Sequence, residues 1–400
     1  MNLSLSKLHP TILLMAGAHM MVDGYGNILA PLLPLLITRL DLSLAAAGTM
    51  TMLFQLSASV AQVGFGHLAD RWNPRLLVMA GPILSIVVLS FVGAATTPMM
   101  LAAILIVGGL GGAAFHPPAA TLAHKLGGNT PGLAMSVHIS GGALGFSLGP
   151  LMFAPFADRF GIEWTPLLAI PGLLVIAFFI ARVPKFELSS AGGVGPGALR
   201  PYAKPLGLLY LIVVLRTTTA IAFATFLPVM LTRQGMSVGA AGAVVAGYLF
   251  AGGVGGFLGG PAADRFGARR VIAWSLAISC PFLFAAPLLE GIPFMVVLAL
   301  GGFFLQATLP VNVVFAQKIA PVSAATVSSL MMGFAWGTGG MTVPLTGYVA
   351  DRVGIESTLL ALALVPLIAA ALAWPLPGGS GGSFRTVGPA DLSDPPPVVR

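Results

Sequence analysis

The sequence predicts an all-α membrane protein, with twelve transmembrane helices arranged as two pseudo-symmetric six-helix bundles. Three observations carry that expectation. The 400 residues are 57% hydrophobic and only 8% charged, with a mean hydropathy of +0.96, whereas a soluble domain carries roughly 25% charged residues. Apolar runs of about 20 residues, the length that crosses a ~30 Å hydrocarbon core, recur twelve times. The second half of the chain repeats motifs of the first.

Taken in order, the apolar runs cover 12–38, 43–68, 76–95, 99–123, 131–157 and 164–181 (spans 1 to 6). After a Gly/Pro-rich polar stretch come 206–231, 238–262, 271–289, 293–316, 324–349 and 358–374 (spans 7 to 12). This divides the chain into an N-terminal bundle (1–181), a cytoplasmic linker (182–204), a C-terminal bundle (205–374) and a disordered tail (375–400). The tail is too polar and too rich in Gly and Pro to bury a core. Lys7 followed by apolar sequence imitates a secretion signal, but no small-residue cleavage site interrupts the run, so it reads as a retained first span.

The net charge of +7 does not point to nucleic acid, because the basic residues lie between apolar runs rather than in a cluster. They fit the positive-inside rule instead. With the N-terminus inside, 14 of the 19 Lys and Arg fall in cytoplasmic segments. Arg39, Arg159, Arg233 and Arg352 fall outside, and Arg216 falls within the bilayer. Both termini are therefore expected in the cytoplasm and the chain in a cell (inner) membrane. The single cysteine, Cys280, permits no intrachain disulfide. No His pair has zinc-ligand spacing on one helix with a carboxylate, so no metal is expected.

The segment GHLADRWNPR (66–75) recurs as GPAADRFGAR (260–269), a shift of 194 residues, and FADRFG (156–161) recurs as VADRVG (349–354), a shift of 193. Asp-Arg pairs thus end spans 2, 5, 8 and 11. Spans 2 and 5 run in opposite directions, so each half is itself a pair of inverted three-helix units, the internal symmetry of major facilitator transporters. On these motifs the chain resembles the major facilitator superfamily along nearly its whole length. HMMVDGYGNILAPLLPLL, FQLSASVAQVGFGHLAD, GGAAFHPPA and SGGALGFSLGPL look, more narrowly, like the fosmidomycin-resistance branch of bacterial drug exporters.

The resemblance implies gating roles for Asp70, Arg71 and Arg75 in the loop after span 2. There the aspartate meets a loop arginine and the positive end of a helix in the other half, latching the cytoplasmic side. Asp264, Arg265 and Arg269 are the counterparts; ordinary topology-setting charges are the plainer reading. Gly141, Gly142, Gly145, Gly149 and Pro150 of span 5 look like the glycine-proline motif of proton antiporters, which lets span 5 approach the glycines of span 8. Ordinary small-residue packing would need the same glycines.

The costliest residues are Asp23 and Arg216. A charge at bilayer depth costs at least ~2.5–3.5 kcal/mol and is functional by default. At 1.5 Å per residue both sit ~15–16 Å from the cytoplasmic end of spans 1 and 7, and they are 193 residues apart, one repeat. His19, Asp23 and Asn27 are spaced i, i+4, i+8, a polar stripe on one helix face. Asp23 either carries a proton or forms a static bridge with Arg216. Span 4 lacks the arginine common in antiporting relatives, which raises His116 as a proton-coupling partner of Asp23 and His19. A substrate site is expected around Asp23, Asn27, Arg216, His138 and Asn312, and Gln55, Ser59, Gln62 and Thr308 are further polar positions with interhelical bonding as their plainer role.

The expected function is export of a small organic compound in exchange for protons by alternating access, with no cofactor beyond the proton gradient. The expected partners are the substrate, protons and lipid, with no nucleic acid, and the chain is expected to be a monomer. Alternatives are a symporter or uniporter importing an organic anion or metabolite, and a non-transport assembly factor on the same scaffold. No nucleophile-base pair gathers at one depth, so the chain is not expected to be an enzyme.

Overall fold

In the computed structural model, the structure describes residues 9–71, 73–128, 130–186, 196–321 and 324–377. Most of the expected tail, the middle of the linker, Lys7 and the side chain of Asp70 lie outside the described residues. The described chain is helical, and eleven of its helices are long and apolar enough to cross a membrane. The remaining path, span 11, crosses in pieces: Ala324–Ser329, a π-helical turn at Leu330–Phe334, Ala335–Gly340 and Val343–Val353. Pro344 cannot donate to the carbonyl of Gly340, four residues back, and the helix breaks there.

The same chemistry breaks spans 1 and 10. Span 1 is two helices, Pro10–Gly26 and Leu29–Leu40, because Pro31 has no N–H for the Asn27 carbonyl. Span 10 is Gly291–Gln306 and Thr308–Ile319, because Pro310 has none for the Gln306 carbonyl. Asn27 therefore caps the first helix rather than continuing the His19–Asp23 stripe. The sequence treats span 1 as one unbroken helix; the structure corrects this.

Spans 1, 3, 4 and 6 pack around one another and spans 7, 9, 10 and 12 do likewise. The two halves meet where span 5 packs on span 8 and span 11 on span 2, with the second helix of span 1 against span 7. That seam is tight on one face only. A Cβ on Gly48 would lie 2.5 Å from the Val343 carbonyl oxygen, and one on Gly242 would lie 3.0 Å from the Pro150 carbonyl oxygen. At the face of Arg71, Arg75, Arg265 and Arg269 (the basic face), a Cβ on the equivalent glycines Gly66 and Gly260, or on Gly64, would meet nothing beyond its own helix turn within 4 Å among the described residues. Among the described residues, the halves are closed on the opposite face and parted on the basic face.

The glycine stripe of span 5 is placed differently from expectation. Cβ atoms on Gly141, Gly145 and Gly149 would strike the carbonyls of Ala16, Met20 and Gly24, all on span 1. On span 8, Gly255 and Gly259 abut Phe303 and Ala307 of span 10. The glycines thus seat each helix inside its own half, where backbones can approach without side chains between them. Of the motif residues, Pro150 meets span 8 through its carbonyl.

Candidate functional site

The N-terminal half gathers four titratable side chains. His19 and Asp23 stand one turn apart on the helix Pro10–Gly26, with His19 Nε2 3.2 Å from Asp23 Oδ2. His116, from the helix Pro98–Leu126, reaches the other carboxylate oxygen: Nε2 to Oδ1 is 3.4 Å. His138 of span 5 stacks on His19 with ring centroids 4.4 Å apart, and its carbonyl lies 2.9 Å from His19 Nδ1. A carbonyl can only accept, so Nδ1 carries the hydrogen and the nitrogen facing Asp23 is Nε2. Two bare lone pairs would then confront each other, unless a proton lies between Nε2 and the carboxylate. His19 and Asp23 are mostly buried, whereas the His116 side chain is 26% exposed and is the member nearest water.

Gly142 makes room for this cluster. A Cβ there would lie 2.5 Å from Asp23 Oδ2 and 2.6 Å from His19 Nε2. The ligand atoms of His19, Asp23 and His116 all lie within 4.8 Å of one another, a spacing that also admits a metal ion. Spacing along any single helix does not reveal this group, because it is assembled from two spans. Each imidazole addresses its own carboxylate oxygen, the pattern of two separate proton-sharing contacts.

Arg216 is not part of that group. In the C-terminal half it is buried, donates from Nη1 to Gln306 Oε1 at 2.5 Å, and has its guanidinium carbon 5.4 Å from the Trp336 ring centre. Gln306 ends the first helix of span 10, where Pro310 breaks it, and Gly252 of span 8 leaves space for its side chain. Among the described residues, Arg216 Nε, Tyr248 Oη, Thr217 Oγ1 and both amide atoms of Asn312 are buried without a hydrogen-bond partner. Buried polar atoms are normally paired, so this half holds unspent donors and acceptors as well as a buried cation. Of the two arrangements expected for Asp23, the static bridge with Arg216 is not formed.

Several expected site residues have other duties. Asn27 Nδ2 donates to the Phe146 carbonyl at 2.8 Å, tying span 1 to span 5. His138 belongs to the Asp23 cluster rather than to the Arg216 side. Gln62 bonds the Ala58 carbonyl and Thr308 the Leu305 carbonyl, each on its own span. Arg75 Nε donates to the Val183 carbonyl beyond span 6 at 3.2 Å. Arg269, its repeat counterpart, donates to the Trp374 and Leu376 carbonyls at the end of span 12 and just past it. Both arginines hold carbonyls of their own half, where cations suit a helix C-terminal end. Asp264 is exposed, Arg265 lies over Phe266, and Arg71 is exposed; on the parted basic face no latch between halves is engaged among the described residues.

Gln306, Tyr248 and Trp336 escaped the sequence reading. The one available signal was Gln306 four residues before a proline, where a helix must open.

A helical membrane chain in two pseudo-symmetric halves, with buried ionisable groups in each half, is the architecture of a secondary transporter. The family model of the Major Facilitator Superfamily matches residues 14–208 and 206–389, and the chain belongs to that superfamily. It is 28% identical to an uncharacterised MFS-type transporter, YfnC, of Bacillus subtilis (strain 168), over 91% of this chain and 92% of that protein. It is 27% identical to the fosmidomycin resistance protein of Escherichia coli (strain K12), over 88% and 89%. Among solved structures, a bacterial homologue of the human lysosomal transporter Spinster, described as inward-facing and unoccupied, matches with a TM-score of 0.76 at 19% identity, covering 91% of this chain and 95% of that one. The nucleoside transporter NupG matches with a TM-score of 0.71 at 15% identity, over 91% and 98%.

Proposed function

We propose that this transporter exports a small organic compound across the cell (inner) membrane in exchange for protons. In this reading the basic face and both termini are cytoplasmic, and one chain is the working unit. The observation that carries it is the separation of the two buried charges. Asp23 is engaged by His19 and His116 in one half, and Arg216 by Gln306 in the other. A carboxylate bridged by two imidazoles is cheapest when the group holds about one proton, because an uncompensated buried charge is strongly disfavoured. His116, the member nearest water, passes that proton to the open side. Arg216, with unspent neighbours, is left for an anionic or polar group on the substrate, and the phosphonate of a fosmidomycin-like compound has that character.

The test is flux in inside-out vesicles or proteoliposomes, with a compound found by a toxicity screen of deletion and overexpression strains. An imposed proton gradient should drive uptake into inside-out vesicles, and Asp23→Asn should abolish the drive. Full gradient-driven flux in Asp23→Asn would overturn the proton-carrier role. A second reading, import of an organic anion by symport, draws on the same Arg216 and predicts the opposite sign of the pH response.

A further inference from the structure

The Asp-Arg pairs ending spans 5 and 11 lie on the face where the halves are closed, and their aspartates cross the seam. Asp351, at the end of the helix Val343–Val353, accepts the backbone N–H of Leu44 through Oδ1 and that of Ala45 through Oδ2, each at 2.9 Å. Leu44 and Ala45 are the first residues of the span 2 helix Leu44–Ser59, in the other half of the protein. Asp158, near the end of span 5, accepts the backbone N–H of Gly239 at 3.3 Å, in the first turn of the span 8 helix Val238–Phe266. The two contacts are repeat images: 158 and 351 differ by 193.

The accounting of helix-end donors is nearly complete. The first N–H groups of any helix lack intrahelical partners. In span 2, Ser43 Oγ takes the Ala46 N–H at 3.1 Å and the Ser43 carbonyl takes that of Ala47, leaving Leu44 and Ala45 to Asp351. In span 8, Ser237 takes Ala240 at 3.2 Å, leaving Gly239 to Asp158. The neighbouring arginines do not compete: Arg352 lies over Tyr348 at 4.3 Å and Arg159 over Phe160 at 5.7 Å, each within its own helix. Glycines make the approach feasible, since a Cβ on Gly239 would be 3.0 Å from Asp158 Oδ2 and one on Gly347 would strike the Leu44 carbonyl.

We infer that Asp158 and Asp351 are paired positioning residues that hold the transporter closed on the face opposite the basic face, each by capping a helix of the other half, and that both contacts break when that face opens. The contacts are charge-assisted, join two bodies that are otherwise parted on the basic face, and sit at the ends of the same helix pairs that form the seam. Asp351, with two short bonds, carries the larger share. The inference rests on the alternating-access reading above.

Spin-label distances across the closed face test it. Thr96 and Glu290 are exposed, 194 residues apart, and in opposite halves, so Thr96→Cys and Glu290→Cys in a Cys280→Ser background report separation on that face. Asp351→Ala should move the ratio of closed to open distances toward open by roughly tenfold, the loss of charge-assisted bonds. Asp158→Ala should move it less and the double variant most, and Asp351→Asn, which keeps one carbonyl acceptor, should recover part of the closed population. Ser43→Ala removes a cap wholly inside the N-terminal half and should lower thermal stability without moving the distances. Unchanged distances in Asp351→Ala and the double variant, when a pH step moves those of the wild type, would overturn the latch alone. Distances that neither a pH step nor any variant moves would overturn the latch and alternating access together.

Discussion

Arg216 Nη1 donates to Gln306 Oε1 at 2.5 Å, which separates the guanidinium from Asp23, the one acid at comparable depth. Each buried charge has its own local partners, so neither depends on the other for its place in the bilayer. The first prediction follows from the guanidinium's thin coordination. A buried cation with one side-chain acceptor and an aromatic face is costly to the fold. Arg216→Met should leave the melting temperature unchanged or raise it, while abolishing substrate-induced thermal stabilisation. Arg216→Lys should retain a minor part of that stabilisation, because a compact ammonium lacks the planar fork. Substrate-induced stabilisation surviving intact in Arg216→Met would place the binding site elsewhere.

The Asp23 cluster makes a second prediction. Removing the carboxylate in Asp23→Asn should eliminate gradient-driven accumulation but leave substrate exchange down its own gradient, since the seam and Arg216 are untouched. His116→Ala should slow proton-coupled flux, because His116 is the exposed member of the group. His19→Ala should act like Asp23→Asn, because His19 is the link between the carboxylate and the His138 carbonyl. Paired assays with and without a pH gradient separate these outcomes, and equal losses in both assays would mark the cluster as structural.

Gly142 gives a third. Its missing Cβ keeps the space occupied by Asp23 and His19, so Gly142→Ala should cost ~1–3 kcal/mol by overpacking and should impair gradient-driven flux more than exchange. Gly253→Ala is the control, because its Cβ would sit in ordinary contact, 3.8 Å from Ala143. Thermal unfolding and flux on the same preparations check both.

A fourth concerns Asn27, which the sequence placed at the substrate. Its amide is committed to the Phe146 carbonyl, so Asn27→Ala should lower stability by ~1 kcal/mol with an unchanged KM. Asn27→Asp should cost more, since a carboxylate cannot donate to a carbonyl. A raised KM with unchanged stability would return Asn27 to the binding site.

The fold was legible because its signals are long and redundant. Twelve apolar runs, scattered arginines and four Asp-Arg pairs all report one architecture, and Asp23 and Arg216 stand out because charge inside a bilayer is expensive. What spacing could not report is convergence across helices. Asp23 meets His116 from span 4, and His138 from span 5 stacks on His19; nothing in the order of residues says that those rings share one pocket. Helix breaks were the second blind spot. Pro31 and Pro310 disengage Asn27 and Gln306 four residues upstream, turning one into a strut and the other into the partner of Arg216. The motif resemblance points to the Asp-Arg pairs of the basic face, whereas the structure engages their images on the opposite face.

The glycines that seat span 5 on span 1 fix where coupling has to be computed. With backbones of Ala16, Met20 and Gly24 touching Gly141, Gly145 and Gly149, Asp23, His19 and His138 are carried by one tightly seated helix pair, and in the proposed cycle they move together. The guanidinium travels with the other half. In the alternating-access cycle proposed above, opening and closing changes the field that each charge feels from its distant opposite without remaking a bond inside either group. In the exchange proposed above, substrate and water entering between the two groups alter that field, and through it how strongly the proton is held.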